Sequence, residues 1–224
     1  ITTRTGIKER RIAAKDETTS DLATHAAVRA MAKANVTAEQ IELIIVATVT
    51  PDMIFPSTAC LVQRNIGASR AAAFDLEAAC SGFIYGLEIG QQFIMSRTYD
   101  TVLVIGAEKL STIVDWQDRN TCVLFGDGAG AVILQNRPHS HGLLTAVMGA
   151  DGEKADILGM PGGGCRHPAT AESIKARLHY IRMDGKETYK NAVQAMQTAA
   201  LEALRRCEIN ISQIKCIIPH QANR

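Results

Sequence analysis

The stretch Asp75-Leu-Glu-Ala-Ala-Cys80-Ser-Gly-Phe-Ile-Tyr-Gly-Leu87 sets one cysteine between an apolar, strand-like run and a long helix-like run. A thiol at a helix start lies beside unpaired backbone N–H groups and the positive end of the helix dipole, which both favour the thiolate. Cys80 is therefore a candidate nucleophile that is reactive at neutral pH. The alternative is that Cys80 is a small apolar residue buried at a tight strand-to-helix junction.

Helical and strand-like patterns alternate on both sides of this stretch. A capped helix is predicted to begin at Thr19-Ser20-Asp21 and to end near Asn35. The β-branched run from Ile41 to Thr48 is typical of a strand buried on both faces of a parallel sheet. Further strands are predicted at 71–76, 101–107 and 215–219, and further helices at 57–65, 81–97 and 186–207. The fold class is therefore α/β.

A glycine run, Phe125-Gly-Asp-Gly-Ala-Gly-Ala131, precedes the apolar residues 132–134. The dinucleotide-binding fingerprint needs such glycines after a strand and at the start of a helix, whereas here they open a strand. We therefore favour close backbone packing before an inner strand over a nucleotide site. Residues Leu143 to Gly149 are predicted to form an antiparallel partner strand.

Composition excludes several classes of protein. The chain has 224 residues, of which 46% are hydrophobic, enough for a packed core, yet its apolar runs fall far short of the roughly 18 residues that span a membrane. A net charge of +1 provides no broad basic surface for nucleic acid. The 6 cysteines form neither a CxxC pair nor a Cys/His cluster at zinc spacing. These features predict reduced thiols, no metal and a cytoplasmic protein.

An internal repeat with a spacing of 173 residues appears when the chain is aligned with itself. Ala26–Met31 matches Ala199–Leu204, and Gln40–Ile45 matches Gln213–Ile218. A helix, a gap and a strand thus recur, which indicates two related α/β halves. We expect an N-terminal half at 1–150, connecting loops at 151–185 and the beginning of a second half at 186–224. The second copy should extend beyond residue 224, and the start of the first half should also be missing.

The chain resembles the thiolase superfamily and, within it, the 3-oxoacyl-[acyl-carrier-protein] synthase III family. Three motifs carry the resemblance in order: Asp75 to Gly82 around the cysteine, the glycine run, and Pro219-His-Gln-Ala-Asn223. Shorter matches at 3–12, 55–57 and 118–119 extend it along essentially the whole chain. The resemblance implies a five-layered αβαβα sandwich made of two duplicated halves, the second of them incomplete here, in a homodimer.

The resemblance also implies an activity. Members of the family are acyltransferases that condense a short acyl-CoA with malonyl-acyl carrier protein, and carbon dioxide is lost. The short acyl-CoA is expected here to be acetyl-CoA. The product, a 3-oxoacyl-carrier protein, initiates fatty acid biosynthesis, and no cofactor is needed. Cys80 and His220 match two of three catalytic residues. The third, an asparagine in a Gly-Asn-(Thr/Ser)-Ser motif, does not occur in residues 1–224, so we expect an incomplete catalytic set.

The remaining site residues are likewise implied by the resemblance. Arg4 and Arg119 should hold the adenine and phosphate end of CoA, Phe55 should cap the partner's acyl pocket, and Tyr189 and Asn223 should flank the pantetheine arm. Lys190 and Arg224 are candidates for docking the acidic carrier protein, although exposed cations are usually only solvated surface.

Two alternatives remain open on the sequence. One is a related condensing enzyme of polyketide or quinolone metabolism that uses another acyl starter, because the Pro-His-Gln-Ala-Asn motif does not exclude it. The other is a non-catalytic subunit of the same fold.

Overall fold

The structure is a computed structural model that describes residues 6–137 and 142–222. The chain divides into two compact units. The sheet unit comprises Arg11–Lys109 and Gly126–Ala146, and the long-helix unit comprises the rest of the described residues. Arg4, Asn223 and Arg224, which the family resemblance assigns to binding, lie outside the described residues.

The sheet unit is built on a four-stranded sheet with the order β2-β1-β3-β4. Strand β1 pairs in parallel with β2 and β3, and β3 pairs antiparallel with β4. Every residue of β1 is buried, as expected for a central strand covered on both faces. The four strands are Leu43–Ala47 (β1), Ala72–Leu76 (β2), Thr101–Lys109 (β3) and Asp127–Gln135 (β4).

Two of the three described helices of the sheet unit begin and end at capping residues. Helix α1 (Thr19–Ala34) starts with a capping box between Thr18 and Asp21 and ends at Asn35 in the left-handed conformation. Helix α2 (Thr58–Ile66) ends at Gly67, whose φ of +78° is one that glycine adopts without steric cost. Helix α3 (Gly82–Met95) follows Cys80. The strands and helices predicted between residues 19 and 107 are confirmed to within a few residues.

Alternation along the strands divides the core of this unit between the two faces of the sheet. Ile44 and Val46 pack with Leu103 and Ile105 and with small residues of α1 and α2. Leu43 and Ile45, with Val102 and Val104, face the opposite side, where α3 supplies Ile94 and half-buried apolar residues. The sheet of this unit is therefore covered by helices on both faces, which confirms the α/β fold class.

Helix α3 approaches the sheet closely through three buried glycines. A Cβ atom added at Gly82 would lie 3.0 Å from the Ala47 Cβ, and one at Gly86 would lie 2.9 Å from Val104 Cγ1. At Gly90 it would lie 2.9 Å from Leu134 Cδ1. Glycine at these three positions lets the helix backbone pack directly against the sheet.

The long-helix unit contains a two-stranded antiparallel ribbon of β5 (Leu158–Gly159) and β6 (Arg182–Met183). Its helices are α4 (Ala171–Lys175) and α5 (Gly185–Arg206). Asp184 caps α5 by accepting hydrogen bonds from the amides of Lys186 and Glu187, so the predicted long helix is confirmed. Short 3₁₀ helices lie at Ala38–Gln40, Ala79–Ser81, Leu110–Thr112, Gly152–Lys154 and Ile211–Gln213.

Two predicted strands are wrong. Lys215–Pro219 forms no strand, and Ile217 and Ile218 are 74% and 84% exposed. Leu143–Gly149 is also irregular, although Gln91 Nε2 donates a hydrogen bond of 2.8 Å to the carbonyl of Leu143. A β-branched run becomes a strand only where another strand satisfies its backbone groups, and neither segment has such a partner among the described residues.

The internal repeat is visible in local structure. Ala26–Met31 lies in α1 and Ala199–Leu204 lies in α5. Gln40 and Gln213 each end a 3₁₀ helix and each close a capping box, with Thr37 and with Asn210 respectively. The two copies of the repeat then differ, because the described residues of the second copy include no strand that corresponds to β1. The proposed limits of the two halves stay a prediction.

Candidate active site

Cys80 lies where strand β2 passes into helix α3. It belongs to the 3₁₀ helix Ala79–Ser81, and Ala79 has a φ of +43°, a left-handed conformation that is strained for a residue with a side chain. Strand β2 is held in place because the carboxylate of Asp75 accepts hydrogen bonds of 2.7 and 2.8 Å from the amides of Thr58 and Ala59. The cysteine is thus presented on a tight turn between two anchored elements.

Cys80 opens onto a cavity of about 270 Å³ inside the sheet unit. The wall is formed by the ends of strands β1 and β3, the start of β4, and the turn that carries the cysteine. The lining residues are Ala47, Ala79, Cys80, Phe83, Gly106, Ala107, Glu108, Gly128, Ala129 and Gly130.

The glycine run has a different role from the predicted one. Gly128 and Gly130 lie inside β4, which is an edge strand of the described sheet, and no atom lies within 4 Å of the position a Cβ would take. Close backbone packing is therefore the wrong explanation at these two positions. Instead, the missing side chains leave the wall of the cavity smooth and open beside the cysteine.

Glu108 is a site residue that the sequence reasoning missed. It is half-buried near the end of β3 and lines the same cavity as Cys80. Its carboxylate accepts hydrogen bonds from Val49 N at 2.8 Å, Thr50 Oγ1 at 2.5 Å and Thr48 Oγ1 at 3.3 Å. Burial raises the pKa of Glu108 against the opposing effect of these hydrogen bonds. In the sequence, Glu108 directly follows the apolar run predicted as a strand at 101–107. This position was the signal that could have identified it as a site residue.

The predicted lowering of the cysteine pKa is wrong. Burial of the sulfur and, next, the negative charge of Glu108 raise the pKa of the Cys80 thiol, whereas its own backbone N–H lowers it. Cys80 is exposed as a residue because the cavity is open, but the protein around the sulfur still disfavours a charge. The backbone N–H at the helix start therefore does lower the pKa of the thiol, but burial and Glu108 raise it by more.

Phe55 lies in the same unit as Cys80, on the loop between β1 and α2, and is 82% exposed. The other predicted site residues that the structure describes belong to the long-helix unit. Arg119 is exposed in the loop before β4, and Tyr189, 56% exposed, is followed by exposed Lys190 on α5. His220 is exposed in the irregular segment after α5.

Two anchors shape the neighbourhood of these residues within the long-helix unit. The Asp118 carboxylate accepts hydrogen bonds from the Asn120 amide at 3.0 Å and from Thr121 Oγ1 at 2.8 Å, which orders the turn that carries Arg119. Arg10, which the sequence reasoning also missed, donates from Nε to the Val123 carbonyl at 3.3 Å and from Nη2 to the Ala222 carbonyl at 3.2 Å. Arg10 thereby ties the segment after His220 to that loop.

Metal ligation has no support within the part of the chain that the structure describes, where no group of three His, Cys, Asp or Glu side chains could hold an ion. Nor is any described helix both long and apolar enough to cross a lipid bilayer.

Comparison with known proteins places this site in a family. Residues 74–152, which include Cys80, Glu108 and the glycine run, match the family model of 3-Oxoacyl-[acyl-carrier-protein (ACP)] synthase III. The chain is 56% identical over 223 residues to Beta-ketoacyl-[acyl-carrier-protein] synthase III of Caldanaerobacter subterraneus, covering 100% of this chain and 67% of the relative. It is 52% identical over 227 residues to the Natranaerobius thermophilus protein of the same name, again over the whole chain and 69% of the relative.

A solved structure shows the same fold. The crystal structure of 3-oxoacyl-[acyl-carrier-protein] synthase III from Aquifex aeolicus matches with a TM-score of 0.88 and 48% identity, over 100% of this chain and 67% of that one. The fold and the relatives together define a condensing enzyme of the acyltransferase class with a thiolase-like α/β fold. The chain belongs to the 3-oxoacyl-[acyl-carrier-protein] synthase III family.

Proposed function

We propose that this protein condenses acetyl-CoA, or another short acyl-CoA, with malonyl-acyl carrier protein and thereby initiates fatty acid biosynthesis. The observation that carries the proposal is the cysteine at the strand-to-helix turn, open to a cavity, in a chain 56% identical over its whole length to a synthase III. Cys80 is the nucleophile of the proposed reaction, and His220 assists the second step.

In the first step the sulfur of Cys80 attacks the thioester carbonyl of the acyl-CoA. Backbone N–H groups at the start of α3 stabilise the oxyanion, and no side chain caps that end of the helix among the described residues. The bond between the carbonyl carbon and the CoA sulfur then breaks. The thiol proton of Cys80 leaves with the CoA thiolate, so the products are CoA and an acyl-cysteine.

In the second step malonyl-acyl carrier protein enters and loses carbon dioxide. The electron pair of the broken carbon–carbon bond forms an enolate, and His220 donates a hydrogen bond to its oxygen. The enolate carbon attacks the acyl group on Cys80, and the released thiolate takes up a proton. The product is a 3-oxoacyl chain on the carrier protein.

Substrate recognition draws on the remaining predicted residues. Guanidinium groups both stack on rings and pair with phosphate, so Arg4 and Arg119 suit the adenine and phosphate end of CoA. Tyr189 and Asn223 flank the pantetheine arm, and Lys190 and Arg224 receive the acidic carrier protein. Phe55 caps the acyl pocket of the second subunit of a homodimer. The enzyme is cytoplasmic, and its reaction needs no cofactor.

Mass spectrometry tests the first step directly. After incubation with acetyl-CoA, the intact protein should gain one acetyl group, and peptide mapping should locate it on Cys80. Added malonyl-acyl carrier protein should then remove the acetyl group and yield 3-oxoacyl-carrier protein. Absence of any acyl adduct on Cys80 would leave the non-catalytic alternative in place.

A starter profile separates the proposal from the polyketide or quinolone alternative. Acetyl-CoA and short branched acyl-CoA should acylate the protein faster than aromatic or long-chain starters. The reverse order would contradict the proposed role in fatty acid biosynthesis without contradicting the role of Cys80.

A further inference from the structure

Glu108 and Cys80 face one cavity from two different elements, the end of β3 and the turn before α3. The rest of the cavity wall consists of alanine, glycine and phenylalanine. A carboxylate in such a setting is the dominant electrostatic feature because nothing on the wall carries a compensating positive charge. A half-buried charge is also screened less by salt than a charge on the surface.

The carboxylate of Glu108 is held in place by a turn that is itself anchored. Its three hydrogen-bond donors belong to residues 48–50, directly after β1. Thr19 Oγ1 donates to the Thr50 carbonyl at 2.6 Å, and Ser20 binds the Asp52 carboxylate through its amide at 2.8 Å and its hydroxyl at 2.7 Å. The start of α1 thus holds the turn at residues 48–50 in place, and this turn holds the Glu108 carboxylate in place.

The neighbouring charged groups are engaged elsewhere. On β3, Lys109 Nζ donates to the carbonyls of Ala14, Lys15 and Glu17. On β4, the Asp127 carboxylate accepts from the Ala13 amide at 2.8 Å, and on β2 the Asp75 carboxylate accepts from the first amides of α2. On α3, the residue that lines the cavity is Phe83, which is not titratable. Glu108 is therefore the charged group that shares the cavity with the thiol.

We propose that Glu108 sets the specificity of this site, because its fixed carboxylate, on the same cavity wall as Cys80, disfavours anionic groups at the sulfur. The role of this charge in acyl transfer rests on the proposed function. There it favours neutral acyl groups over carboxyl-bearing ones at the cysteine. It also protects the resting cysteine, because the thiolate is the form that alkylating agents and oxidants attack.

Paired alkylation of Cys80 tests the proposal without any acyl-CoA. Iodoacetate and iodoacetamide form the same carbon–sulfur bond with loss of iodide, but only iodoacetate is an anion. The two rates at Cys80 are followed by peptide mass spectrometry from pH 6 to 10 in the wild-type protein and in Glu108→Gln. Glutamine has nearly the same shape and keeps an oxygen that can accept from Val49.

In Glu108→Gln the ratio of the iodoacetate rate to the iodoacetamide rate at Cys80 should rise by about threefold or more, because the repelling charge is gone. The iodoacetamide profile should also move to lower pH. Cys60, an exposed free cysteine on α2, is the internal control, and its ratio should not change. Equal ratios and profiles at Cys80 in the folded variant and the wild type would overturn the proposal.

The wild-type protein supplies a second measurement if Glu108→Gln fails to fold. Since burial raises the pKa of Glu108, its carboxylate takes up a proton at a pH above its usual range. The rate ratio at Cys80 should therefore rise as the pH falls through the acidic range in which Glu108 takes up its proton. A ratio that stays flat in this range contradicts the proposal. Loss of acetyl transfer alone would contradict only the proposed function, because neither alkylation rate depends on acyl-CoA.

Discussion

Two opposing influences act on the sulfur of Cys80. Its own backbone N–H, at the start of a helical segment, stabilises the thiolate, whereas burial and the Glu108 carboxylate destabilise it more strongly. In the proposed reaction, attack on a thioester must therefore be coupled to loss of the thiol proton. The strained turn at Ala79 and the hydrogen bonds of Asp75 hold the sulfur in position for that attack.

Replacing the nucleophile tests its identity. Cys80→Ser should abolish the acetyl-enzyme, because a serine hydroxyl is a far weaker nucleophile than a cysteine thiol. Intact-mass measurement after incubation with acetyl-CoA gives the readout. Cys60→Ser is the matched control, because this other exposed free thiol should be dispensable. An acetyl-enzyme that survives in Cys80→Ser would reassign the nucleophile.

Helix α3 carries the cysteine turn and depends on close contact with the sheet. Its buried residues are Gly82, Gly86, Gly90 and Ile94, so the helix backbone comes close to the sheet at the three glycines. Half-buried apolar side chains of the helix complete the contact. The position of the turn that holds Cys80 is set by this contact, because the helix cannot move away without opening the core around Ile45, Val102 and Val104.

A larger side chain on this face should destabilise the fold. In Gly86→Val the new Cβ would lie 2.9 Å from Val104 Cγ1 in the middle of the sheet. We expect a loss of about 1–3 kcal/mol in the free energy of unfolding, measured by urea denaturation. Gly149→Ala is the control, because no atom lies within 4 Å of the added Cβ. If both variants unfold at the same urea concentration as the wild type, helix α3 does not need this close approach.

Helix α5 carries a charge cluster with a definite pH response. Hydrogen bonds from Arg205 and Arg206 lower the pKa of Glu202 to about 2. Since the folded pKa lies below the ordinary value of 4.5, the interaction stabilises the helix above that value. This stabilisation is lost as the pH falls from about 4.5 to about 2.

A carboxyl titration by NMR should therefore place the midpoint of Glu202 near pH 2. Arg205→Gln should move that midpoint upward, because it removes the first of the two guanidinium partners. A midpoint of Glu202 near 4.5 in the wild-type protein would show that the cluster does not persist in solution.

The proposed catalytic set is distributed over the two compact units. Cys80 and its cavity belong to the sheet unit, whereas His220, Arg119 and Tyr189 belong to the long-helix unit. The first proposed step needs mainly the cysteine and the backbone N–H groups of α3. The second step also needs the hydrogen bond that we propose for His220. The two steps should therefore respond differently to substitutions.

His220→Ala should spare acylation of Cys80 and reduce condensation with malonyl-carrier protein by about 100- to 1,000-fold, the usual cost of one lost oxyanion donor. The two rates are measured separately, by acetyl incorporation and by release of labelled carbon dioxide. His167→Ala is a matched control, since His167 is an exposed histidine of the same unit. Equal loss of both steps in His220→Ala would contradict the assigned role of His220.

The amino-acid sequence by itself determined most of the sheet unit and the identity of the candidate nucleophile. Capping residues such as Thr18 and Asp184, the glycines of α3 and the β-branched run of β1 act over a few residues. Their effects can therefore be read from the order of residues. The motif around Cys80 was recognisable for the same reason.

Only the tertiary structure decided the features that depend on distant partners. The segment Lys215–Pro219 has the composition of a strand but forms none, because no described strand satisfies its backbone groups. Gly128 and Gly130 line a cavity instead of packing closely. The pKa of Cys80 rises, against the sequence prediction, because folding buries the sulfur and brings Glu108 to the same cavity. Desolvation and charge act through space, so their balance is set where the chain folds back on itself.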